Sequence, residues 1–134
     1  MIAFDTNVLI YACDRVDPKR QCQAIELIST AADVVLLWQV ACEFVAASRK
    51  LSTQGFTSDH AWARLSEYLA LFRLILPTDA VLERAESLHL RSHCSFWDAM
   101  IIAACLDCGV TRLYSEDLPG RDSFDGLVIV NPFV

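Results

Sequence analysis

The sequence predicts an α/β fold, a single domain over residues 1–134 with a mostly parallel central sheet of about five strands flanked by helices on both faces. Three observations carry that prediction. Short apolar runs alternate with longer stretches of helical periodicity. The 134 residues suit one domain, and 54% of them are hydrophobic, enough for a real core. No internal repeat, low-complexity stretch or linker interrupts the alternation.

Met1 to Phe4 is a short apolar run that stops at Asp5-Thr6-Asn7, residue types that favour turns and helix caps, and it reads as a buried strand. Asp17-Pro18 supplies an N-cap and a first-turn proline to a helix in which Cys22, Ile25, Ile28 and Ala32 recur at helical spacing. Val34 to Trp38 is a second strand, followed by a helix from about Gln39 to Leu51. A loop through Ser52, Thr53, Gln54 and Gly55 leads to an amphipathic helix carrying Trp62, Leu65, Leu69 and Phe72. Leu74 to Leu76 forms a third strand, ended by Pro77, and Thr78 caps a helix with Val81, Leu82, Ala85 and Leu88 inward. Ser95 opens another helix, apolar almost all round from Ala99 to Leu106, which must therefore be buried on most sides; Gly109 ends it. Val110 to Tyr114 and Leu127 to Val130 complete the strands.

Eleven basic and 17 acidic residues leave a net charge of −6, and no Lys/Arg run is longer than Arg49-Lys50. That disfavours a module gripping polyanions through a broad basic face. Cysteines 13, 22, 42, 94, 105 and 108 sit mostly in apolar periodic segments and read as reduced core thiols. The N-terminus lacks the basic region of a signal peptide, and no apolar run approaches the roughly 20 residues of a membrane span. A reducing cytoplasm, with no membrane partner, is the expected setting.

In parallel sheets of this class, ligands bind outside the carboxyl ends of the strands. Asp5 follows the first strand directly, Glu43 lies one turn into the helix after the second, and Asp117 follows the fourth. Asp98 joins them only if the start of its helix faces the same edge. Anions gathered without a nearby base repel one another and raise their pKa values unless cations hold them. Hard divalent ions take oxygen ligands, and two such ions about 3.5–4 Å apart activate water and stabilise the leaving oxygen in phosphodiester cleavage. Each acid also has a structural reading. Asp5 suits a turn cap with Thr6 and Asn7, Asp98 a capping box with Ser95, and Asp117 an ordinary polar loop. Glu43 interrupts an apolar stretch and, once buried, requires an arginine or a metal.

The start Ile2-Ala3-Phe4-Asp5-Thr6-Asn7-Val8-Leu9-Ile10-Tyr11, the Glu43 helix, Ser95-Phe96-Trp97-Asp98-Ala99-Met100-Ile101 and Leu113-Tyr114-Ser115-Glu116-Asp117-Leu118 occur in this order before the ending Gly126-Leu127-Val128-Ile129-Val130-Asn131-Pro132-Phe133. Together they resemble the PIN-domain family, above all the VapC-type ribonuclease toxins of bacterial type II toxin–antitoxin pairs. The resemblance spans the chain. It implies a PIN-like fold, an endoribonuclease dependent on Mg²⁺ or Mn²⁺, a homodimer, an RNA substrate and silencing by a cognate antitoxin that inserts an arginine near the acids. By motif position it implies Asp5, Glu43, Asp98 and Asp117 as the catalytic, metal-holding set. In that scheme Asp5 and Asp98 hold the principal ion, and Glu43 and Asp117 complete its shell or hold a second. Thr6, Asn7 and Ser115 match supporting polar positions, while Glu116 either points to solvent or meets a second metal through water. Residues 52–92 are the variable part of such proteins. Water activated by the cation would attack phosphorus in line, leaving a 5′-phosphate and a 3′-hydroxyl.

Other signals are weaker. His89 and His93 lack a Glu-x-x-His context, and Cys105-Leu106-Asp107-Cys108 lacks the second pair of a zinc ribbon. Glycines 55, 109, 120 and 126 form no phosphate-binding fingerprint. An aspartate-dependent phosphotransfer enzyme would want an aspartate where Asn7 stands, or a late lysine, yet nothing basic follows Arg121. A non-catalytic binding module whose acids only cap helices remains the main alternative, and divalent-metal titration discriminates it. Trp62, Phe72 and the Trp38 region are read as core in preference to a dimer contact.

Overall fold

In the computed structural model, residues 1–118 and 123–134 are described, so Gly120 and Arg121 lie outside the described residues. The strands are β1 (Ile2–Phe4), β2 (Val34–Leu37), β3 (Arg73–Ile75), β4 (Arg112–Tyr114), β5 (Ser123–Phe124) and β6 (Leu127–Val130). They form one sheet in the order β3-β2-β1-β4-β6-β5, parallel throughout except for the β5–β6 pair. The two-residue β5 escapes a reading based on periodicity because it is too short to show any.

Connection lengths and handedness explain the layers. The chain steps from β1 to β2 to β3 in one direction, then returns past both to place β4 on the other side of β1. Parallel crossovers are right-handed, so reversing direction moves the connecting helices to the opposite face. Helices α1 (Thr6–Tyr11), α2 (Pro18–Thr30), α3 (Trp38–Ala47) and α4 (Ser58–Leu71) accordingly pack on one another, whereas α5 (Asp79–Arg91) packs on α6 (Phe96–Cys108), which touches β2 and β6. The reversal falls between β1 and β4, and there the carboxyl ends of adjacent strands open into a crevice.

Caps behave as their chemistry requires. Asp17 accepts from the Arg20 amide at the start of α2, and Ser95 accepts from the Asp98 amide at the start of α6. Gly109 closes α6 at φ 85°, a left-handed conformation that costs other residues a steric penalty. Thr78 precedes α5 without a capping bond; its hydroxyl instead donates to Asp107 at 3.1 Å. The six residues of α1 lie where only a turn is expected, because so short a run carries less than two helical turns of pattern. A 3-10 turn over Ser48–Gln54 replaces the end of the helix expected over Gln39 to Leu51 and the loop after it.

Periodicity locates a helical stripe more reliably than its centre. Helix α4 buries Ala61, Leu65 and Tyr68 and leaves Trp62 and Leu69 exposed, so its inward face is rotated from the expected one. Trp38 is exposed as well, and Phe72 alone of the three aromatics packs against the core. Likewise α2 buries Ala24 while exposing Cys22 and Ile25, and α5 buries Val81 and Ala85 while exposing Leu82. Which stripe faces inward depends on the neighbouring element that covers it. Helix α6 is buried at Ala99, Ile101, Ile102, Ala103 and Cys105, as its all-round apolarity demands. The cysteines divide: Cys13, Cys94 and Cys105 are buried, Cys108 is half-buried, and Cys22 and Cys42 are exposed, contrary to a uniform core role. Among the described residues no helix is long and apolar enough to cross a membrane.

Candidate active site at the carboxyl edge of the sheet

Strands β1 and β4 run side by side with Phe4 opposite Tyr114. Their sheet bonding extends one residue further, the Asp5 amide donating to the Tyr114 carbonyl and the Ser115 amide to the Val130 carbonyl, both at 2.9 Å. Asp5 and Ser115 therefore leave the sheet together. The Ser115 hydroxyl donates to Asp5 Oδ2 at 2.7 Å, and the Thr6 amide donates to Oδ1 at 2.7 Å. Asp5 is 7% exposed. Burial pushes its carboxyl above the ordinary 3.8; the two hydrogen bonds oppose that shift, and the negative charges of Glu43 and Asp117 add to it.

Helix α1 starts directly after Asp5, which turns the Thr6 side chain toward α3, where its hydroxyl donates to Glu43 Oε2 at 2.8 Å. One turn before Glu43, Gln39 donates from Nε2 to Glu43 Oε1 at 2.8 Å and to the Trp97 carbonyl at 3.3 Å. That second bond shows that the first turn of α6 lies on the same edge. Asp98 follows Trp97 in sequence and is half-buried, with no hydrogen bond or ion pair to its carboxylate among the described residues. Glu43 is also only half-buried, since its neighbours Cys42 and Ala46 are exposed; its hydrogen-bond partners are a hydroxyl and an amide, and no arginine pairs with it among the described residues.

Asn7 joins the third acid. Its Nδ2 donates to Asp117 Oδ2 at 3.2 Å and to Ser115 Oγ at 3.4 Å, and its Oδ1 accepts from the Glu116 amide at 3.3 Å. Ser115 Oγ also accepts from the Asp117 amide at 3.3 Å, so one hydroxyl ties the loop after β4 to the end of β1. Glu116 turns away, accepting from the Tyr11 hydroxyl at 2.8 Å and pairing with Arg20 at 2.9 Å. This is a contact within the fold in place of the solvent-facing one of the two expected placements. Arg20 also pairs with Asp17 and stacks over the Tyr11 ring.

The structure thus brings Asp5, Thr6, Asn7, Glu43, Ser115 and Asp117 into one bonded network and sets Asp98 beside it. Gln39 is the member that sequence reading missed; its i, i+4 spacing to Glu43 was the available signal. Among the described residues, no basic side chain pairs with Asp5, Glu43, Asp98 or Asp117. Nor do any three His, Cys, Asp or Glu side chains among them stand close enough to ligate a metal as placed. The donor set is nonetheless what a hard divalent cation takes: carboxylate oxygens, with that of Asp5 disfavoured as an anion first by burial and further by the charges of Glu43 and Asp117. The other metal candidates dissolve. His89 packs edge-on against Phe96, and Cys105 is fully buried with its thiol pushed far up by desolvation.

A model of the PIN domain family matches residues 2–118. No curated protein is similar enough in sequence to count as a match. Among solved structures, the chain is similar to a toxin–antitoxin complex from Klebsiella pneumoniae, with a TM-score of 0.70 at 20% identity over 98% of each chain. It is similar also to VapC20 of Mycobacterium tuberculosis, a toxin that cleaves the sarcin–ricin loop, with a TM-score of 0.70 at 21% identity over 87% of this chain and 90% of that one. A third, FitAB bound to a DNA fragment, has a TM-score of 0.66 at 15% identity over 100% of this chain and 96% of that one. At these identities the likeness is one of fold.

Proposed function

Because this chain belongs to the PIN-domain family, we propose that it is a divalent-metal-dependent endoribonuclease, the toxin of a toxin–antitoxin pair. The observation that carries this reading is Asp5: a carboxylate 7% exposed at the strand-order reversal, with Glu43 and Asp117 adding negative charge and no cationic side chain beside it among the described residues. Asp5, Glu43, Asp98 and Asp117 would hold Mg²⁺ or Mn²⁺. When bound, such an ion supplies activation of water and neutralisation of charge at the phosphate.

The chain's own groups prepare that site. Ser115 and the Thr6 amide fix both oxygens of Asp5, which favours the ionised form that burial opposes. Thr6 and Gln39 orient Glu43 from two helices, and Asn7 orients Asp117. Outer partners of this kind hold ligand carboxylates in one rotamer and so reduce the ordering cost of binding. None of them is a histidine, consistent with cleavage in which water is the nucleophile.

The similar structures are of a toxin–antitoxin complex, a toxin and the DNA-bound FitAB, which supports an antitoxin as protein partner here. A homodimer is supported by the exposed Trp38, Trp62 and Leu69 around an apolar cavity of about 500 Å³ between α3 and α4.

The test is cleavage of RNA by purified protein with Mg²⁺ or Mn²⁺, with chelator, and with Asp5→Asn. Cleavage confined to the first condition is expected. Activity that survives chelation, or full activity in Asp5→Asn, overturns the mechanism. A protein that binds no divalent ion up to millimolar concentration is instead a binding module.

A further inference from the structure

Next to the carboxylates, at the carboxyl ends of β2 and β3, lies a cavity of about 280 Å³ whose lining includes Trp38, Gln39, Leu76, Trp97, Met100 and Asp107. Trp38 is 47% exposed, Leu76 62% and Trp97 61%, far more than side chains retained for core packing. The cavity is continuous with the acidic edge. Gln39, Cys42 and Trp97 also line a second depression, of about 310 Å³, whose wall includes Glu43. The Gln39 amide joins the two by donating to Glu43 and to the Trp97 carbonyl, and Asp98 is the next residue after Trp97.

Apart from the indole N–H groups of Trp38 and Trp97 and the Cys42 thiol, the polar groups in this lining, Gln39 and Asp107, offer acceptors. Gln39 commits its amide nitrogen to Glu43 and Trp97, which leaves its carbonyl oxygen for a ligand. Asp107 is held by the Thr78 hydroxyl at 3.1 Å and has acceptor capacity to spare. Flat aromatic surface combined with acceptors suits an unpaired nucleobase, whose face stacks and whose amino edge donates. A strand with a phosphate among the carboxylates would carry its flanking base to this side.

Resting on the nuclease reading above, we propose that the cavity is a base-binding subsite of the enzyme. In it the unpaired base next to the scissile phosphate packs against the indoles of Trp38 and Trp97 and presents an amino edge to Asp107 and Gln39. The two acceptors favour bases whose exocyclic amino group offers two donors over uracil, which offers only N3–H between two carbonyls.

The experiment uses the full chain as Asp5→Asn with Mg²⁺, and reads the fluorescence anisotropy of end-labelled decamers of oligo(A), oligo(C), oligo(U) and an abasic ribose phosphate. Oligo(A) and oligo(C) are expected to bind about tenfold more tightly than the abasic decamer, the scale of one stacked base. Trp97→Ala should abolish that difference and Trp97→Phe should keep most of it. Trp62→Ala, outside this cavity, should keep it entirely, and Asp107→Asn should relax discrimination against oligo(U). Equal binding of abasic and base-bearing decamers overturns the subsite. So does a folded Trp97→Ala that binds RNA normally but escapes inhibition by its protein partner, which would assign the cavity to a protein segment. If base-dependent binding persists while the wild-type chain cleaves no RNA with Mg²⁺ or Mn²⁺, the cavity binds a base and the nuclease reading alone fails.

Discussion

The Ser115 hydroxyl donates to the buried Asp5 carboxylate at 2.7 Å across the junction of two strands 110 positions apart in sequence. The same oxygen accepts from the Asp117 amide and lies 3.4 Å from the Asn7 amide nitrogen, so a single small side chain organises two of the four acids. Ser115→Ala should therefore keep the fold at a cost of about 1–2 kcal/mol, since it strands a buried acceptor. It should also weaken Mn²⁺ binding about 10- to 100-fold, the usual effect of removing a ligand's supporting partner. Chemical denaturation and metal titration of the same variant separate the two effects.

Asp5→Asn is expected to lose at least about 100-fold in cleavage, because the carboxylate that would hold the ion is gone. In metal-free buffer it should be as stable as the wild type or more so. The sign follows from the raised pKa of Asp5 in the folded state. The folded chain holds this proton more tightly than the unfolded chain, so the group's contribution to stability is full below the ordinary carboxyl value and is lost as pH rises through the folded one. The stability difference between variant and wild type should grow over that window and level off above it. A difference that shrinks with rising pH would contradict the burial argument.

Gln39→Ala removes the link between Glu43 and the first turn of α6. Cleavage should fall about tenfold with an unchanged melting profile, and excess divalent ion should restore part of it. Gln39→Glu should be worse, because it sets a second carboxylate against Glu43. Rates measured across a metal titration check both.

Glu116→Gln tests a different assignment. With Tyr11 and Arg20 holding this carboxylate, the change loosens the contact between α2 and the loop after β4 without touching the acidic network. Melting should drop by a few degrees while cleavage stays within about threefold of wild type, since a part-exposed ion pair contributes little. A loss as large as that of Asp5→Asn would make Glu116 a ligand.

Much of the architecture was legible because α6 and the strands carry strong local signals. An all-apolar helix such as α6 has one physical solution, burial between a sheet and another helix, and Asp5 and Asp117 gain their positions simply by following strands in a parallel sheet. The failures also have causes. Short elements such as α1 and β5 are stabilised by their neighbours and show no period of their own. Cys22, Ile25, Trp62, Leu69 and Leu82 are apolar at helical spacing yet exposed, because a stripe's centre is set by the partner that covers it.

Apolar runs, helical periodicity and caps are local properties, and they were enough to predict a parallel α/β sheet with acids after its first, second and fourth strands. Only the tertiary structure decided how these acids are held. Hydrogen bonds from Ser115 to Asp5, Thr6 to Glu43 and Gln39 to Trp97 span 110, 37 and 58 residues, and no local pattern encodes such distances. It also decided that the start of α6 reaches the acidic edge, and that Glu116 leaves it for Arg20. Those outcomes depend on the reversal of strand order beside β1, which packing and crossover handedness impose on the chain as a whole.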